Sequence, residues 1–231
     1  MISKIINKLQ SELPATVKLV AVSKYHPFEA IQEAYHAGQK CFGESRPQEL
    51  LAKISRLEEI RTEKGDMNYM ADVEWHFIGH LQTNKLKMVL PYVSMIHSVD
   101  SVRLLEAINN WSLVNNIVSD VLLEPHVAAE DSKQGFSKSE LLEVLSHHSD
   151  YKAIRFRGIM GMATFTEDEA VIRQDFSAIR QIFDEALAAD PTLVPDFNEL
   201  SIGMSDDYRI AIEYGSTMVR IGSMIFGERN Y

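Results

Sequence analysis

The chain has 231 residues, of which 45% are hydrophobic and 24% are charged, a composition typical of a globular protein that can bury a sizeable core. Its formal net charge of −10, from 23 Lys and Arg against 33 Asp and Glu, argues against nucleic acid or an anionic membrane as main partner, because both require a basic face. No apolar run approaches the roughly 18 residues that span a bilayer, no signal peptide is recognisable, and the single Cys41 excludes an internal disulfide, so we expect a cytosolic protein.

The first half of the chain alternates between segments with helical spacing and short apolar runs typical of strands. Apolar residues recur at three- and four-residue steps over 1–13, which predicts an amphipathic opening helix that Pro14 ends. Thr83 is a predicted helix N-cap, as is either Asp100 or Ser101. The predicted strands are 17–24, 40–44, 75–79 and 93–99, and the helices that follow them are 28–37, 47–64, 83–90 and 101–111.

The second half of the chain repeats this alternation. Ser137 and Glu140 form a capping box in front of a helix, and Thr166 and Glu169 form a second box in front of a helix that runs to about residue 189. The connection 125–136 is predicted to be a solvated loop on the functional face, with a lid or an anion contact as the alternative. The predicted strands are 118–124, 156–161, 200–204 and 217–221, with helical spacing between the last two.

Eight strand–helix alternations, without a linker rich in Pro, Gly or Ser, predict parallel strands joined by crossover helices. At this length, eight units suit a closed barrel better than an open sheet. The alternative, a doubly wound sheet, is disfavoured because no G-x-G-x-x-G follows the first strand. The predicted fold is therefore α/β, a single (β/α)8 TIM barrel with an extra N-terminal helix, in which residues 1–231 form one domain.

Small and hydroxyl residues follow the last two predicted strands. Ser205 comes directly after the seventh strand, and Gly222 and Ser223 come after the eighth. Because the carboxyl ends of barrel strands converge on one face, backbone N–H groups and hydroxyls gather there into a candidate phosphate site. Asp206 and Asp207 would repel a dianion unless they point outwards, and the segment 205–207 could instead be only a helix cap. The prediction of a phosphate site therefore rests mainly on Gly222 and Ser223.

Lys24 ends the first strand, which lies beside the eighth in a closed barrel, so its amine can reach the same pocket. A partly desolvated lysine can attack a carbonyl and form an imine, although a strand-terminal lysine is more often a solvated end. A lysine beside a phosphate site suggests a phosphorylated aldehyde, and pyridoxal 5′-phosphate (PLP) fits that description. Arg220 alternates with apolar neighbours and is predicted to face the barrel interior, with an ion pair to Glu44 or Glu124 as an equal alternative.

Several longer motifs follow one another in a recognisable order. They are A-V-S-K at 21–24, F-G-E at 42–44, W-H-F-I-G at 75–79, L-Q-T-N-K at 81–85, L-S-I-G-M-S-D-D at 200–207 and G-S-T-M-V-R-I-G at 215–222. On these motifs the chain resembles, from about Val17 to Gly227, the pyridoxal phosphate homeostasis protein family, formerly described as proline synthetase co-transcribed proteins.

The resemblance implies a barrel similar to the N-terminal domain of bacterial alanine racemase, which has fold type III. It also implies that Lys24 is the Schiff-base lysine, that the two serines and Gly222 hold the phosphate, and that Arg220 faces the pyridine nitrogen. The residues that it places in the cofactor site are Lys24, Ser45, Ile78, Met204, Ser205, Arg220, Gly222 and Ser223.

The chain departs from the family pattern at three places. Ser45-Arg46 stands where the family commonly has Asn-Tyr, so a contact from that Asn to a cofactor oxygen is weakened or replaced by the shorter Ser45. His80 stands in place of the usual Pro. Ser223 stands in place of Thr, which retains the hydroxyl.

Arg220 also bears on activity, because a guanidinium beside the ring nitrogen keeps that nitrogen unprotonated and makes the ring a poorer electron sink. A racemase needs a second acid/base group, which in the racemases is a Tyr from outside the barrel domain, and no further domain is expected before the chain ends at Tyr231. Tyr25, His80 and His97 are the local substitutes.

We therefore expect a PLP carrier that acts in intracellular vitamin B6 homeostasis, as a monomer that delivers the cofactor to apo-enzymes. The alternatives are a weak PLP-dependent amino-acid racemase or lyase, and a class I aldolase in which Lys24 binds a sugar phosphate. No metal is expected, because His147 and His148 have no further ligands nearby in sequence.

Overall fold

Eight short apolar runs form parallel strands that close into a barrel in chain order. The computed structural model describes residues 1–127 and 135–227. Parallel strands are apolar on both faces because helices cover one face and the barrel interior the other. The strands are β1 (Lys18–Val22), β2 (Cys41–Glu44), β3 (Glu74–Phe77), β4 (Met95–Val99), β5 (Ser119–Leu123), β6 (Ile154–Met160), β7 (Glu199–Ser201) and β8 (Met218–Ile221).

Closure depends on pairing between the first and the last strand. β1 and β8 pair in parallel, with Lys18 opposite Met218 and Ala21 opposite Ile221. The predicted (β/α)8 barrel is confirmed, and the alternative of an open doubly wound sheet is wrong. The carboxyl ends of the strands surround one opening of the barrel, called the mouth below, and the amino ends surround the opposite opening, called the foot.

Helices connect the strands and cover the outside of the barrel. They are α1 (Ile2–Glu12), α2 (Phe28–His36), α3 (Pro47–Lys64), α4 (Leu86–Val89), α5 (Val102–Val114), α6 (Lys138–Ser146), α7 (Glu169–Ala189), α8 (Tyr208–Glu213) and α9 (Ser223–Phe226). Pro47 at the first position and Gly65 in the left-handed region after the last turn set both ends of α3. Ser137 and Glu140 form the predicted capping box before α6.

Two predicted helix starts are wrong. Thr83 lies inside a 3-10 turn that precedes α4, and the residue before that turn, Gln82, makes no side-chain cap. Asp168 caps α7 in place of Thr166, with its carboxylate accepting a backbone N–H of the first turn at 2.9 Å. A carboxylate is favoured there because it also interacts with the helix dipole, whereas the Thr166 hydroxyl accepts only the N–H of Asp168.

Side chains from alternate strand positions fill two separate layers. The larger core lies between the strands and the helices and includes Phe42, Phe77 and Phe176. The intervening strand residues face the barrel interior, since side chains alternate across a strand. The apolar part of this interior consists of Val20, Cys41, Met95, Leu122, Met160 and Met218.

The connection 125–136 is only partly described, because residues 128–134 lie outside the described part of the chain. The prediction of a solvated loop, with a lid or an anion contact as the alternative, falls on those residues. At the base of the connection, Pro125 and Phe136 form an isolated parallel bridge. Across 1–127 and 135–227, no helix has the length and apolar character needed to cross a membrane.

Gly158 in β6 occupies a position that a larger residue cannot take. Its φ is 149°, and a Cβ atom built there would overlap the backbone of Glu199 on β7. Gly158→Ala is therefore expected to lower the free energy of unfolding by about 3 kcal/mol or more. Gly65→Ala is the matched control, because Gly65 also has a positive φ but no atom within 4 Å of such a Cβ, and it should cost about 1 kcal/mol. Urea unfolding measures both variants, and equal losses would contradict the packing argument.

Candidate functional site

Lys24 lies at the mouth, two residues after the end of β1. The even-numbered residues of β1 face the barrel interior, because Leu19 and Ala21 belong to the outer core, and Lys24 continues the even-numbered series. The next residue, Tyr25, has a positive φ of 67°, and its backbone N–H donates to Glu49 Oε2 at 2.8 Å. This left-handed turn ends the strand and leaves the half-buried Lys24 at the edge of the opening.

A buried ion pair supports the backbone behind Lys24. Lys53 Nζ on α3 donates to Glu44 Oε1 at 2.5 Å and to the carbonyl oxygen of Ser23 at 2.7 Å. The hydroxyl of Ser23 donates to the same carboxylate oxygen of Glu44. Burial raises the pKa of Glu44, while Lys53 and Ser23 oppose that shift. These contacts fix the residue before Lys24, so the amine projects from a rigid strand end.

The turns after β7 and β8 bring two predicted phosphate ligands together. The hydroxyl of Ser223 donates to Ser205 Oγ at 3.0 Å. Gly222 packs against β1, where a Cβ atom would lie 3.1 Å from the carbonyl oxygen of Val22. A residue without a side chain therefore lets the β8 turn approach the strand that carries Lys24.

The two acidic residues beside Ser205 do not take equivalent positions. Asp207 is buried and accepts the backbone N–H of Met204, so its carboxylate is engaged within its own turn. Asp206 is exposed. Met204 itself is half-buried at this turn. The expected repulsion of an anion is therefore reduced, because one carboxylate is hydrogen-bonded locally and the other is solvated.

Arg220 on β8 is buried inside the barrel with only 5% of its surface exposed. Its guanidinium donates to the carbonyl oxygen of Ser201 at 2.6 Å, to Ser201 Oγ at 2.8 Å and to the carbonyl oxygen of Gly161 at 2.9 Å. Burial lowers its pKa to about 10, with Glu124 and Asp207 opposing the shift, so the group remains charged at neutral pH.

The alternative of a structural ion pair for Arg220 is wrong for the described residues. None of their carboxylate oxygens lies within 4.0 Å of a guanidinium nitrogen of Arg220. Glu44 faces the helices and pairs with Lys53. Glu124 influences Arg220 only through space. The interior position predicted for Arg220 is found, and its role opposite a cofactor ring remains a prediction.

A chain of polar side chains continues from Arg220 through the barrel interior. Ser201 Oγ is 3.0 Å from His97 Nδ1, and His97 Nε2 is 2.8 Å from His76 Nδ1. Burial lowers the pKa of His76 to about 3 and that of His97 well below its usual value, so both rings are neutral. The sequence analysis missed this chain of hydrogen bonds, although polar residues at inward-facing strand positions were the available signal.

Ser45 and Ile78 lie at the mouth ends of β2 and β3. The backbone N–H of Ile78 donates to the carbonyl oxygen of Glu44 at 2.8 Å, which extends the pairing of the two strands. Gly79 packs so closely against the backbone of Ser45 that a Cβ atom there would overlap it. The structure thus brings Ser45 and Ile78 together at adjacent strand ends, while their contacts with a cofactor remain a prediction.

Acid–base groups also gather at the mouth. His80 Nδ1 is 3.1 Å from Asp100 Oδ2, and His80 is exposed to solvent. Burial raises the pKa of Glu124, which follows β5, to about 7, with nearby Asp100 adding to the shift and Arg220 opposing it. Of the other two predicted acid/base candidates, His97 is engaged inside the barrel, and the Tyr25 ring lies 4.6 Å from the guanidinium of Arg46.

Comparison with known proteins places the whole chain in one sequence family. Residues 2–230 match the family model described as the alanine racemase N-terminal domain. A protein of Aquifex aeolicus named pyridoxal phosphate homeostasis protein is 38% identical over 214 residues, which cover 93% of this chain and 88% of the relative.

Solved structures extend this similarity to the fold. The PipY protein of Synechococcus elongatus PCC7942, solved with PLP bound, superimposes with a TM-score of 0.86 at 33% identity and covers 98% of this chain and 100% of its own. Alanine racemase of E. faecalis has a TM-score of 0.69 at 16% identity, covering 98% of this chain and 57% of the racemase. This second likeness concerns the fold alone.

Glu124 makes the stability of the ligand-free protein dependent on pH. Its pKa is about 7 in the folded chain against an ordinary value of 4.5, so the folded state binds the extra proton between these values. As the pH rises from about 4.5 to above 7, the wild type should lose stability relative to Glu124→Gln. The expected loss in the free energy of unfolding is on the order of 3 kcal/mol. Urea unfolding at a series of pH values measures this difference. A wild type that gains stability over Glu124→Gln in that range would contradict the assignment.

Proposed function

We propose a function for this chain from the family to which it belongs, that of the alanine racemase N-terminal domain and the pyridoxal phosphate homeostasis proteins. The proposed function is to hold PLP at the barrel mouth through Lys24, for intracellular PLP homeostasis. The observation that carries the proposal is the pairing of β1 with β8. With Ala21 opposite Ile221, Lys24 and Ser223 follow at neighbouring strand ends. This register supports the proposal that the Lys24 amine lies beside a hydroxyl-lined anion site.

The residues at the mouth fit PLP in charge and in chemistry. PLP supplies an aldehyde, which accepts an amine with loss of water, and a phosphate on the same ring. Lys24 would hold the cofactor covalently through Nζ, with the aldehyde oxygen released as water. The hydroxyls of Ser205 and Ser223, whose oxygens are 3.0 Å apart, would both donate to phosphate oxygens. Arg220 supplies a buried positive charge in the same part of the barrel.

Arg220 favours a carrier over an efficient enzyme. It retains its charge at neutral pH, because a pKa of about 10 is still well above 7. A charged guanidinium beside the pyridine nitrogen disfavours protonation of that nitrogen, and an unprotonated ring withdraws electrons poorly. We therefore propose that the bound cofactor is stored and handed to apo-enzymes rather than used for rapid turnover.

A second candidate function is a weak PLP-dependent racemase or lyase. The observation that favours it is the pair formed by His80 and Asp100, because a histidine oriented by a carboxylate is a common general base. Exchange of the Cα deuterium of labelled amino acids, lost in His80→Ala, would support this candidate. Transfer of bound PLP to an apo-enzyme, without such exchange, would support the carrier.

Three further proposals concern the domain organisation, the location and the oligomeric state of the chain. We propose that residues 1–231 act as one PLP-binding domain, since the family model spans 2–230. We propose a cytosolic location, since a free Cys41 is typical of reducing compartments. We propose a monomer, and we propose that recipient enzymes contact it at the loop after β6, where Phe165 is 89% exposed.

Lys24→Ala should abolish the visible absorption of the PLP-loaded protein, because the β1–β8 pairing places the end of β1, which carries Lys24, beside the turn that carries Ser223. Lys40→Ala, at the foot, is the matched control and should retain the absorption. Borohydride reduction followed by peptide mass analysis should locate the pyridoxyl label on Lys24 in the wild type. A label on another lysine would overturn the assignment.

Removing the hydroxyl pair should affect the phosphate rather than the ring. The double variant Ser205→Ala and Ser223→Ala is expected to bind PLP at least about tenfold more weakly, since each hydrogen bond to a charged group contributes about 1.5 kcal/mol or more. Its affinity for pyridoxal, which lacks the phosphate, should stay close to that of the wild type. The exposed Ser11→Ala on α1 is the control. Equal losses for both ligands would contradict a phosphate role.

A further inference from the structure

Three side chains with metal-binding atoms meet at the foot of the barrel, at the end opposite to the cofactor site. Cys41 and Glu74 begin β2 and β3 and are partners in the strand register, and His76 lies two residues after Glu74 on the same face. The thiol sulfur, a carboxylate oxygen and a ring nitrogen all lie within 4.8 Å of one another. The ligand atoms of side chains from two neighbouring strands thus lie close together inside the barrel.

Two of these three residues are buried, and no hydrogen bond to another described residue engages their ligand atoms. Cys41 is 4% exposed and His76 is 1% exposed. The Cys41 sulfur has no hydrogen-bond partner in 1–127 and 135–227, and neither has His76 Nε2, whose contact with Glu74 Oε2 is 3.9 Å long. The thiol sulfur and this imidazole nitrogen are therefore not engaged by another side chain, and both lie close enough to the Glu74 carboxylate to share one cation with it.

Neighbouring side chains contact two of the three candidate ligands. The other ring nitrogen of His76 is bonded to His97 at 2.8 Å, which fixes the orientation of the imidazole. Lys18 Nζ lies 3.0 Å from Glu74 Oε2 and so already places a positive charge at this carboxylate. Since the Lys18 side chain is 45% exposed, it can move into solvent and leave that position to a cation.

A pocket at the foot gives access to the cluster from solvent. Its volume is about 260 Å³, and its walls include Lys18, Cys41 and Glu74. The pocket admits a hydrated ion and leaves room for a water molecule as an additional ligand.

We propose that Cys41, Glu74 and His76 form a binding site for a borderline-soft divalent cation such as Zn²⁺, with a fourth position open to the foot pocket. Thiolate, imidazole and carboxylate are the ligands that zinc takes, and three protein ligands plus a water molecule complete its tetrahedron. On binding, the thiol proton of Cys41 leaves to solvent and the sulfur bonds to the metal. This site is separate from the cofactor site and does not depend on the proposed function.

Titration of the untagged, chelator-treated protein with Co²⁺ tests the proposal. Cys41 is the single cysteine of the chain, so a thiolate-to-cobalt absorption band can arise only from this residue. The expected result is such a band that saturates at one Co²⁺ per chain, and Zn²⁺ should displace it. With Zn²⁺ bound, X-ray absorption should show one sulfur at about 2.3 Å. A folded wild-type protein that gives no thiolate band would overturn the proposal, without need of any variant.

Variants then test the individual ligands. Cys41→Ala should lose the band. Glu74→Gln should bind Co²⁺ at least about tenfold more weakly, because a neutral amide is a poor metal ligand. Loss of a residue that merely orients a ligand already costs about tenfold in metal affinity, and loss of the ligand itself should cost at least as much. Lys18→Ala is the matched control for a change of charge at the same place, and it should bind Co²⁺ at least as tightly as the wild type. Unchanged affinity in Glu74→Gln, or weaker binding in a folded Lys18→Ala, would contradict the proposed ligand set.

Discussion

The pairing of β1 with β8 is the constraint on which the rest of the account depends. These strands are the first and the last of the chain, and their register places Ala21 beside Ile221. An open sheet would leave the two strand ends at opposite edges, with Lys24 far from Ser223. Closure makes them neighbours, and Gly222 keeps the distance short because a Cβ atom would press on the backbone of Val22. The closeness of the Lys24 strand end to the turn that carries Ser223 is therefore a consequence of the fold.

The interior of the barrel is polar along one line, which distinguishes it from an ordinary apolar core. Burial would penalise each polar group, but Arg220, Ser201, His97 and His76 satisfy one another through contacts between 2.6 and 3.0 Å. Two neutral imidazoles add no charge to that of the guanidinium. The same line of contacts extends from the mouth towards the foot. The orientation of the Arg220 guanidinium is therefore fixed by its hydrogen bonds inside the barrel rather than by a carboxylate partner.

Sequence reasoning predicted the features that depend on short-range patterns. The alternation of strands and helices predicted the barrel, and the predicted helix 47–64 agrees with α3. The hydrogen bonds between side chains inside the barrel were not predicted. Ser201 and His97 are 104 residues apart, and no local pattern links them. The start of α7 was misplaced because Thr166 and Asp168 both accept N–H groups there, and the Asp168 carboxylate is the one that accepts the N–H of the first turn.

A crystal structure of the protein grown with PLP tests the central claim most directly. The account predicts continuous electron density from Lys24 Nζ to the aldehyde carbon, with the phosphate within hydrogen-bonding distance of Ser205 and Ser223 and the ring nitrogen facing Arg220. Density for PLP at any other lysine, or a phosphate bound away from the turns after β7 and β8, would contradict it.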